Sequence, residues 1–428
     1  LEENITDTHN ETNLTLLKES KKEISKEAFK DDNSLIECLE EEIVTKVKVS
    51  ILSAEGDEIL YISPTGIATA SGTSEDPLDS INSALAKFSG EGSHTIKVMD
   101  GTYTSMDNSI VNTDLDNLNI VADTDANPIF NFAYSFSSPL YWIFSGNNIY
   151  LEGLKFSNIR GSYNLNINGG YYYHSVLRFV NASNVLVENC AMDMVGPYKF
   201  NLTNSDNVSF KNCSFSNSTS SYYMFASENS NFTIEDSNLT NISTSSIINS
   251  TFKLINNTFS NNNVSNLFTT RDSSAEIINN TVKDSYFSGS YGFFQITDEI
   301  ETNISFVGNN FTNITGRYNL IYSYSNQHVP RNILIANNSF TDVSEGINAE
   351  YANLTVENNT FKNMSSSSNN YPTVYSHYGN ISFKNNNFTD SSSLISVSSS
   401  NGTIENNNFL NNVPNYTGII YSYSSNLN

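Results

Sequence analysis

Two groups of acidic and basic side chains have residue types that could support chemistry on a polysaccharide. Elimination from an acidic sugar polymer needs a basic side chain, often beside carboxylates that hold Ca²⁺. Hydrolysis of a glycosidic bond needs two or three carboxyl groups gathered around the bond. In both groups the charges are dispersed, so surface solubilisation and protection of strand edges is the favoured interpretation. The groups are Arg178 with Glu188 and Asp193, and Arg271 with Asp272 and Glu276.

Residues that commonly bind metals are sparse and scattered. The five histidines have no paired spacing, and three cysteines in 428 residues exclude a disulfide scaffold and a cysteine-type zinc module. Four aspartates lie close together but lack the spacing of a calcium-binding loop, which favours a polar turn over a calcium site. We therefore expect no catalytic residue, no metal and no cofactor. The aspartates are Asp114, Asp116, Asp123 and Asp125.

The overall charge narrows the class of partner. Lys and Arg number 21 against 45 Asp and Glu, which gives a formal net charge of -24 and a pI near 4.4. Such a chain lacks the clustered basic groups that bind nucleic acid or an anionic membrane surface. No apolar run reaches the ~20 residues of a membrane-spanning helix, so no membrane insertion is expected. The absence of an initiator Met and a signal peptide indicates a mature form or a fragment.

From about residue 148 the sequence repeats one pattern: Asn, apolar, any, apolar, any, two Asn-like residues, any, and a Phe-like residue. Eleven segments follow it at intervals of about 20 to 36 residues, which is typical of solenoids, propellers and arrays. The irregular interval disfavours a propeller, and no unit contains a helix-length periodic stretch. The segments begin at residues 148, 184, 207, 231, 251, 274, 303, 332, 353, 380 and 401.

The seventh position of the pattern predicts a buried ladder. Early units hold Leu154, Cys190 and Cys213 there, and because Leu and Cys prefer burial, the position is expected to face inward. A buried Asn needs partners for its oxygen and its nitrogen, and coils stacked at ~4.8 Å provide them. Two stacked free thiols are favoured over a disulfide. The predicted ladder is Cys190, Cys213, Asn257, Asn280, Asn309, Asn338, Asn359, Asn386 and Asn407.

The repeats resemble the right-handed parallel β-helix of the pectate-lyase-like superfamily, in the branch with NosD-type repeats. The segments YISPTG, EDPLDSINSAL and IKVMDGTY in residues 59–105 resemble the start of this fold in large adhesin-like surface proteins of methanogenic archaea. The resemblance covers about residues 60–428 and implies an all-β solenoid with a small mixed N-terminal segment. Lyases, hydrolases, epimerases, tailspikes and adhesins share the fold, so it does not by itself give the function.

The chain divides into three parts. Residues 1–58 form a charged segment, interpreted as a linker, a cap or an assembly element. Residues 59–147 form an N-terminal cap and the first coils, with a helix that begins after Asp79 or Ser80, and residues 148–428 form the repeat β-helix. The chain ends in SYSSNLN, as if a new coil were beginning, so this end has no evident cap.

Tyrosines cluster in the linkers and in the second strand of many units. Where they alternate with Ser, as in IYSYS, inward stacking is the favoured interpretation, and an exposed strip for sugar rings or a partner protein is the alternative. Roughly two dozen Asn-x-Ser/Thr sequons occur, and glycans are expected on some that open their coils. The expected glycosylation sites are Asn207, Asn231, Asn303, Asn353 and Asn380.

These features favour a non-catalytic extracellular protein of the cell surface. It would be an adhesin or a surface-fibre component that binds glycans or other cell-surface proteins. One alternative is a polysaccharide lyase or glycoside hydrolase on the same fold. Another is a filament subunit, in which residues 1–58 of one copy add a strand to the C-terminal end of the next copy.

Overall fold

A computed structural model describes most of the chain from residue 57 onward and confirms the predicted parallel β-helix. The segment 1–58 lies outside the described residues except for its last two. Within the described part, no helix is long and apolar enough to cross a membrane. The described residues are 57–89, 92–131, 141–157, 165–167, 170–172, 177–193, 200–218, 223–289, 292–316, 319–324, 329, 331–344, 346–365, 372–392, 395–413 and 418–428.

Each coil consists of three strands separated by corners, and each strand pairs in parallel with its equivalents in neighbouring coils. A strand of sheet 1 leads through a two-residue corner, such as 189–190, to a strand of sheet 2. A linker of variable length then leads to sheet 3. The chain returns to sheet 1 through a corner that we call the return corner, such as residues 181–182.

The three sheets contain nearly all of the regular structure. Sheet 1 comprises Glu58–Ile62, His94–Val98, Leu118–Ala122, Asn147–Glu152, Ser183–Glu188, Asp206–Lys211, Asn231–Glu235, Thr251–Ile255, Ser274–Ile278, Asn303–Val307, Arg331–Ala336, Ala352–Glu357, Asn380–Lys384, Asn401–Glu405 and Asn426–Leu427. Sheet 2 comprises Thr102–Tyr103, Ile129–Asn131, Lys155–Ser157, Ala191–Asp193, Ser214–Ser216, Asn238–Thr240, Thr258–Ser260, Asn263–Val264, Thr281–Phe287, Asn310–Gly316, Ser339–Val343, Thr360–Lys362, Asn387–Thr389 and Asn408–Leu410. Sheet 3 comprises Ile110–Thr113, Tyr141–Phe144, Leu177–Val180, Phe200–Thr203, Phe225–Glu228, Ser245–Ile248, Phe268–Arg271, Phe294–Ile296, Ile321–Ser323, Ile347–Glu350, Val374–His377, Ile395–Ser398 and Ile420–Tyr423.

Three smaller elements complete the described structure. Leu165–Ile167 and Gly170–Tyr172 form an antiparallel pair, and Met106–Asn108 is a short 3-10 helix. The α-helix α1, Ile81–Leu85, begins after Ser80, whose hydroxyl accepts a hydrogen bond from the Ser83 N–H at 3.1 Å. Ile81 and Ala84 of this helix are fully buried in the core of the first coils.

The corners explain why the chain is rich in Asn. A corner residue with positive φ turns the chain, for example Asn181 (φ 56), Asn189 (φ 54) and Asn256 (φ 54). Among residues with side chains, Asn and Asp tolerate this left-handed conformation best. In the Asn-Asn pair of the repeat, the first Asn therefore turns the chain and the second enters the core.

The core is built from columns, which are sets of equivalent positions in successive coils. The Phe-like position of the repeat forms one column of stacked rings. From Phe311 through Phe340, Phe361 and Phe388 to Phe409, the ring centroids are 4.9, 4.8, 4.6 and 5.0 Å apart. This spacing is the distance between neighbouring strands, so each ring packs on its own equivalent.

Candidate functional site

The asparagine column lies at the corner between sheets 1 and 2 and ties three coils together. The Oδ1 of Asn309 accepts from the backbone N–H of Asn280 at 2.8 Å and from its Nδ2 at 3.0 Å. The Nδ2 of Asn309 donates to the carbonyl of Ile277 at 2.7 Å and to the Oδ1 of Asn338 at 2.9 Å. The bonds to main-chain groups are the part of this network that the repeat pattern did not reveal. The same side-chain bonds link Asn257, Asn280, Asn309, Asn338, Asn359, Asn386 and Asn407 in sequence.

Cys190 and Cys213 are buried free thiols that begin this column. Burial raises the pKa of Cys213 to about 12 and raises the pKa of Cys190 well above its usual value. Because the thiolate is the reactive form, we expect neither thiol to react with a thiol reagent in the folded protein. In a Cys38→Ser variant, both should react after unfolding in denaturant. No reactive thiol after unfolding would instead show a disulfide.

A second ladder, of serines, lines the return corner. The hydroxyl of Ser230 accepts from the Ser205 N–H at 3.0 Å, and the hydroxyl of Ser250 accepts from the Ser230 N–H at 3.1 Å. The arrangement returns at Ser400, which accepts from the Gly379 N–H at 3.2 Å. Four intervening coils hold other residues, so the repeat is interrupted at one place. A local departure from an otherwise consistent pattern is where a functional site is expected. The intervening residues are Thr302, Arg331, Ala352 and Gly379.

The return corner is also longer at this interruption. Two consecutive return corners separate their flanking strands by six residues, 297–302, and by seven residues, of which the structure describes Tyr324 and Val329. Asp298 in the first of them is fully buried, and its Oδ2 accepts a hydrogen bond from the Thr302 hydroxyl. Its Oδ1 has no hydrogen-bond partner among the described residues. Burial raises the pKa of the Asp298 carboxyl, although Thr302 and the nearby Arg331 oppose this effect.

Arg331 is a fully buried cation that joins the coils around the interruption. Its Nη1 donates to the Ser323 hydroxyl and, at 3.5 Å, to the carbonyl of Glu350. Its Nη2 donates to the carbonyl of Asp298 at 3.4 Å. Burial lowers the pKa of the guanidinium, and the negative charge of Asp298 opposes this. Arg331 thereby braces two neighbouring strands of sheet 3, Ile321–Ser323 and Ile347–Glu350.

The outer face of sheet 3 beside Arg331 forms what we call the tyrosine surface. Ile321 and Ser323 face the core, whereas Tyr324 is 37% exposed. The described tyrosines here therefore face outward, and the favoured expectation of inward stacking is wrong for them. The aromatic members are Tyr322, Tyr324, Tyr351, Tyr375 and Tyr378. The polar members are Asn348, Glu350 and His377.

Aromatic and polar residues alternate from coil to coil along one row of the tyrosine surface. In one outward row, Tyr322, Asn348 and Tyr375 are in register, and Ser396 and Tyr421 continue the alternation. Rings of every second coil are therefore ~9.6 Å apart along the row, which is twice the strand spacing. A polar residue between two aromatic residues can bind a ring that has an apolar face and polar edges.

Two of these tyrosines occupy strained corner positions. Tyr351 (φ 52) and Tyr378 (φ 56) have the positive φ that other coils assign mostly to Asn and Asp. Their rings stack with centroids 5.0 Å apart, and the His377 ring lies 3.6 Å from that of Tyr378. A bulky residue in this conformation costs about 1–2 kcal/mol. Such an outlier supports a functional hypothesis for the residue.

The first group of candidate catalytic residues does not converge. Arg178 lies in sheet 3, whereas Glu188 ends a strand of sheet 1 and Asp193 ends a strand of sheet 2. The Glu188 carboxylate accepts from the Tyr150 hydroxyl at 2.9 Å, and the Asp193 carboxylate accepts from Asn217 Nδ2 at 2.8 Å. Three different sheets present these groups in three different directions.

The two acidic residues of the second group, and Asp116 of the four aspartates, are engaged in structural contacts. Glu276 lies 3.1 Å from the Lys253 Nζ, and Asp272 accepts from the Glu299 N–H at 2.7 Å. Asp116 accepts from the Asn147 N–H at 2.6 Å. Among the residues that the structure describes, no three His, Cys, Asp or Glu side chains form a group that could hold a metal ion.

The expected glycosylation sites open strands of sheet 1. Asn207, Asn231, Asn303 and Asn380 are exposed, and Asn353 is half-buried. All belong to hydrogen-bonded surface pairs, such as Asn380 Nδ2 to Asn353 Oδ1 at 2.9 Å. An attached glycan would leave the Asn nitrogen one N–H for this bond. Glycosylation at these sites stays a prediction.

A groove of about 570 Å³ runs along the outer face of sheet 1 beside this row of asparagines. Polar residues such as Asn303, Ser305, Asn332 and Thr355 line it together with apolar ones such as Leu334. It lacks aromatic side chains among its described lining residues, which distinguishes it from the tyrosine surface.

Sequence reasoning missed Asp298, Arg331, Asn348 and Glu350. One sequence signal was available, because an Asn-Ser or Asp-Ser pair precedes four consecutive sheet-1 strands, from Asp206–Lys211 to Ser274–Ile278, and is absent before Asn303 and Asn332. The loss of this pair marks the interrupted serine ladder.

Comparison with known proteins gives likeness of fold alone. No family model and no curated protein matches the sequence. A rhamnogalacturonan lyase has a TM-score of 0.48 at 14% identity, covering 74% of this chain and 84% of its own. PfbA, a surface adhesin of Streptococcus pneumoniae, has a TM-score of 0.46 at 14% identity, covering 81% of this chain and 94% of its own. Pectate lyase Pel9A has a TM-score of 0.28 at 14% identity, covering 85% of this chain and 81% of its own.

Proposed function

We propose that the protein is an extracellular β-solenoid of the cell surface, an adhesin or surface-fibre component, that binds glycans without catalysis. The alternation of aromatic and polar residues along one row of the tyrosine surface carries this proposal. Tyr presents an apolar ring for the C–H face of a sugar and a hydroxyl for its polar edge. The adhesin-like surface proteins that the repeats resemble support the same setting. The archaeal origin that the resemblance suggests stays a prediction.

Replacing Tyr378 with Asn is expected to weaken glycan binding at least about tenfold, a loss of roughly 1.4 kcal/mol. Asn suits the positive φ at this corner, so the variant should be as stable as the wild type or more stable. Binding to a glycan array and thermal unfolding measure the two effects. Tyr286→Asn is the matched control, because Tyr286 is 45% exposed on sheet 2. Equal binding by wild type and Tyr378→Asn would contradict the proposal.

The lyase or hydrolase alternative rests on Glu350. Burial raises the pKa of this carboxyl beside an aromatic surface, as in some glycosidase acids, and Arg331 opposes the shift. A glycosidase needs a second carboxylate, and Glu350 is the single carboxylate among the residues that define the tyrosine surface. Release of unsaturated or reducing ends from uronic-acid polymers, with or without Ca²⁺, would support the alternative. Head-to-tail assembly through residues 1–58 also stays a prediction.

A further inference from the structure

Asn348 is a buried polar residue on the tyrosine surface whose acceptor the protein leaves unpaired. It is 6% exposed and lies in Ile347–Glu350. Ile347 and Ala349 beside it belong to the core, so the Asn348 side chain is on the outer face. Its Oδ1 has no hydrogen-bond partner among the described residues. A buried acceptor without a partner destabilises the folded state, so its retention needs an explanation outside the folding of this strand.

The neighbours of Asn348 form two aromatic walls. The strand register places Tyr322 in the preceding coil and Tyr375 in the following coil. At ~4.8 Å per coil the two walls are ~9.6 Å apart, enough for one flat ring at about 4 Å from each. Both tyrosines are partly exposed, and partly exposed side chains change rotamer rapidly, so the rings can separate around a ligand.

The polar groups in this slot accept hydrogen bonds from a ligand and repel an anion. Glu350 lies two residues after Asn348 on the same face and is partly exposed. Arg331 is fully buried, and its Nη1 and Nη2 already donate to Ser323 and to backbone carbonyls. The chain also carries a net charge of -24. A ligand with hydroxyl donors and no carboxylate matches these surroundings.

We propose that Asn348 Oδ1 and the Glu350 carboxylate accept hydrogen bonds from the hydroxyl groups of an uncharged sugar. This inference rests on the proposed function. The sugar ring lies between Tyr322 and Tyr375. The tyrosine surface therefore selects uncharged glycans over uronic-acid glycans.

The first test separates a ligand-binding role of Asn348 from a structural one. Asn348→Val removes the unpaired acceptor and introduces a residue that strands favour. Its thermal midpoint should equal or exceed that of the wild type, while its affinity for the uncharged probes falls about tenfold. Unchanged affinity, or a loss of affinity that accompanies a lower thermal midpoint, would overturn the assignment.

The second test measures charge selection with matched ligands by calorimetry. The probes are oligogalacturonate, oligomannuronate and oligoglucuronate, each beside its carboxyl-reduced counterpart. In at least one pair, the affinity for the reduced form at low salt should be at least about ten times the affinity for the acidic form. Glu350→Gln keeps an acceptor but removes the charge, so it should narrow this ratio severalfold while affinity for the reduced form is retained.

The outcomes distinguish this inference from the proposal beneath it. Equal or tighter binding of the acidic forms would overturn charge selection while glycan binding stands. Binding of no probe by the wild type would overturn both. Binding that Tyr378→Asn, Asn348→Val and the control Tyr286→Asn leave unchanged would place the glycan elsewhere and overturn the inference.

Discussion

Replacing Asn309 with Ala is expected to lower the free energy of unfolding by about 3–5 kcal/mol. The Asn309 carboxamide satisfies the buried N–H of Asn280 at 2.8 Å and the carbonyl of Ile277 at 2.7 Å. Ala leaves both groups without these partners and opens a cavity inside the column. Parallel denaturant unfolding of wild type and variant measures the difference.

The control for this prediction is Asn303→Ala on the surface row of asparagines. Asn303 is exposed, and its Oδ1 accepts from Asn332 Nδ2 at 2.9 Å. Water replaces this bond, so the expected loss is less than about 1 kcal/mol. If Asn309→Ala is no more destabilising than Asn303→Ala, the buried ladder does not have the stabilising role that we assign to it.

Replacing Arg331 with Met is expected to destabilise the protein by about 3–5 kcal/mol at neutral pH. Met retains most of the buried volume but removes the charge that compensates Asp298. It also removes the donors to Ser323 and to the carbonyls of Glu350 and Asp298. Because Arg331 braces the strands below the tyrosine surface, glycan affinity should fall along with stability. An effect below about 1 kcal/mol would show that the guanidinium does not brace this region.

The loss of stability caused by Arg331→Met should depend on pH. The pKa of Asp298 is raised above 3.8 in the folded protein. The protonated Asp298 carboxyl therefore stabilises the folded protein at a pH below the pKa of the unfolded chain. This stabilisation is lost as the pH rises through the pKa of the folded protein. Without Arg331 the folded pKa rises further, so the deficit of the variant should shrink on acidification toward pH 4. A second change, Asp298→Asn, should restore part of the neutral-pH stability, and a deficit that is independent of pH and of Asp298 would contradict this account.

Several features of the fold follow directly from the sequence. The seventh and ninth positions of the repeat predict the Asn309 column and the Phe311 column, and the structure has both. They are predictable because each coil stacks on the equivalent coil before it. The same position of every repeat therefore falls into one column. The corner residue Asn189 follows the same logic, since one residue of the repeat must adopt positive φ at that corner.

The orientation of these tyrosines is where the sequence-based expectation, inward stacking, is wrong. IYSYS alternates large and small residues, and periodicity alone does not decide which face is the core. Inward Ile and Ser with outward Tyr is the arrangement at Ile321, Tyr322 and Ser323, where neighbouring columns already fill the interior. Packing against the other two sheets therefore decides this orientation.

The sequence by itself determined the solenoid, its buried asparagine and phenylalanine columns, and its Asn-rich corners, because these depend on one repeated unit. Only the tertiary structure decided that Tyr322, Asn348 and Tyr375 are consecutive in one row above the buried Arg331. Linkers of variable length separate the sheet-3 strands, so their register is hidden in the sequence. Hydrogen bonding between coils sets that register, and with it the site.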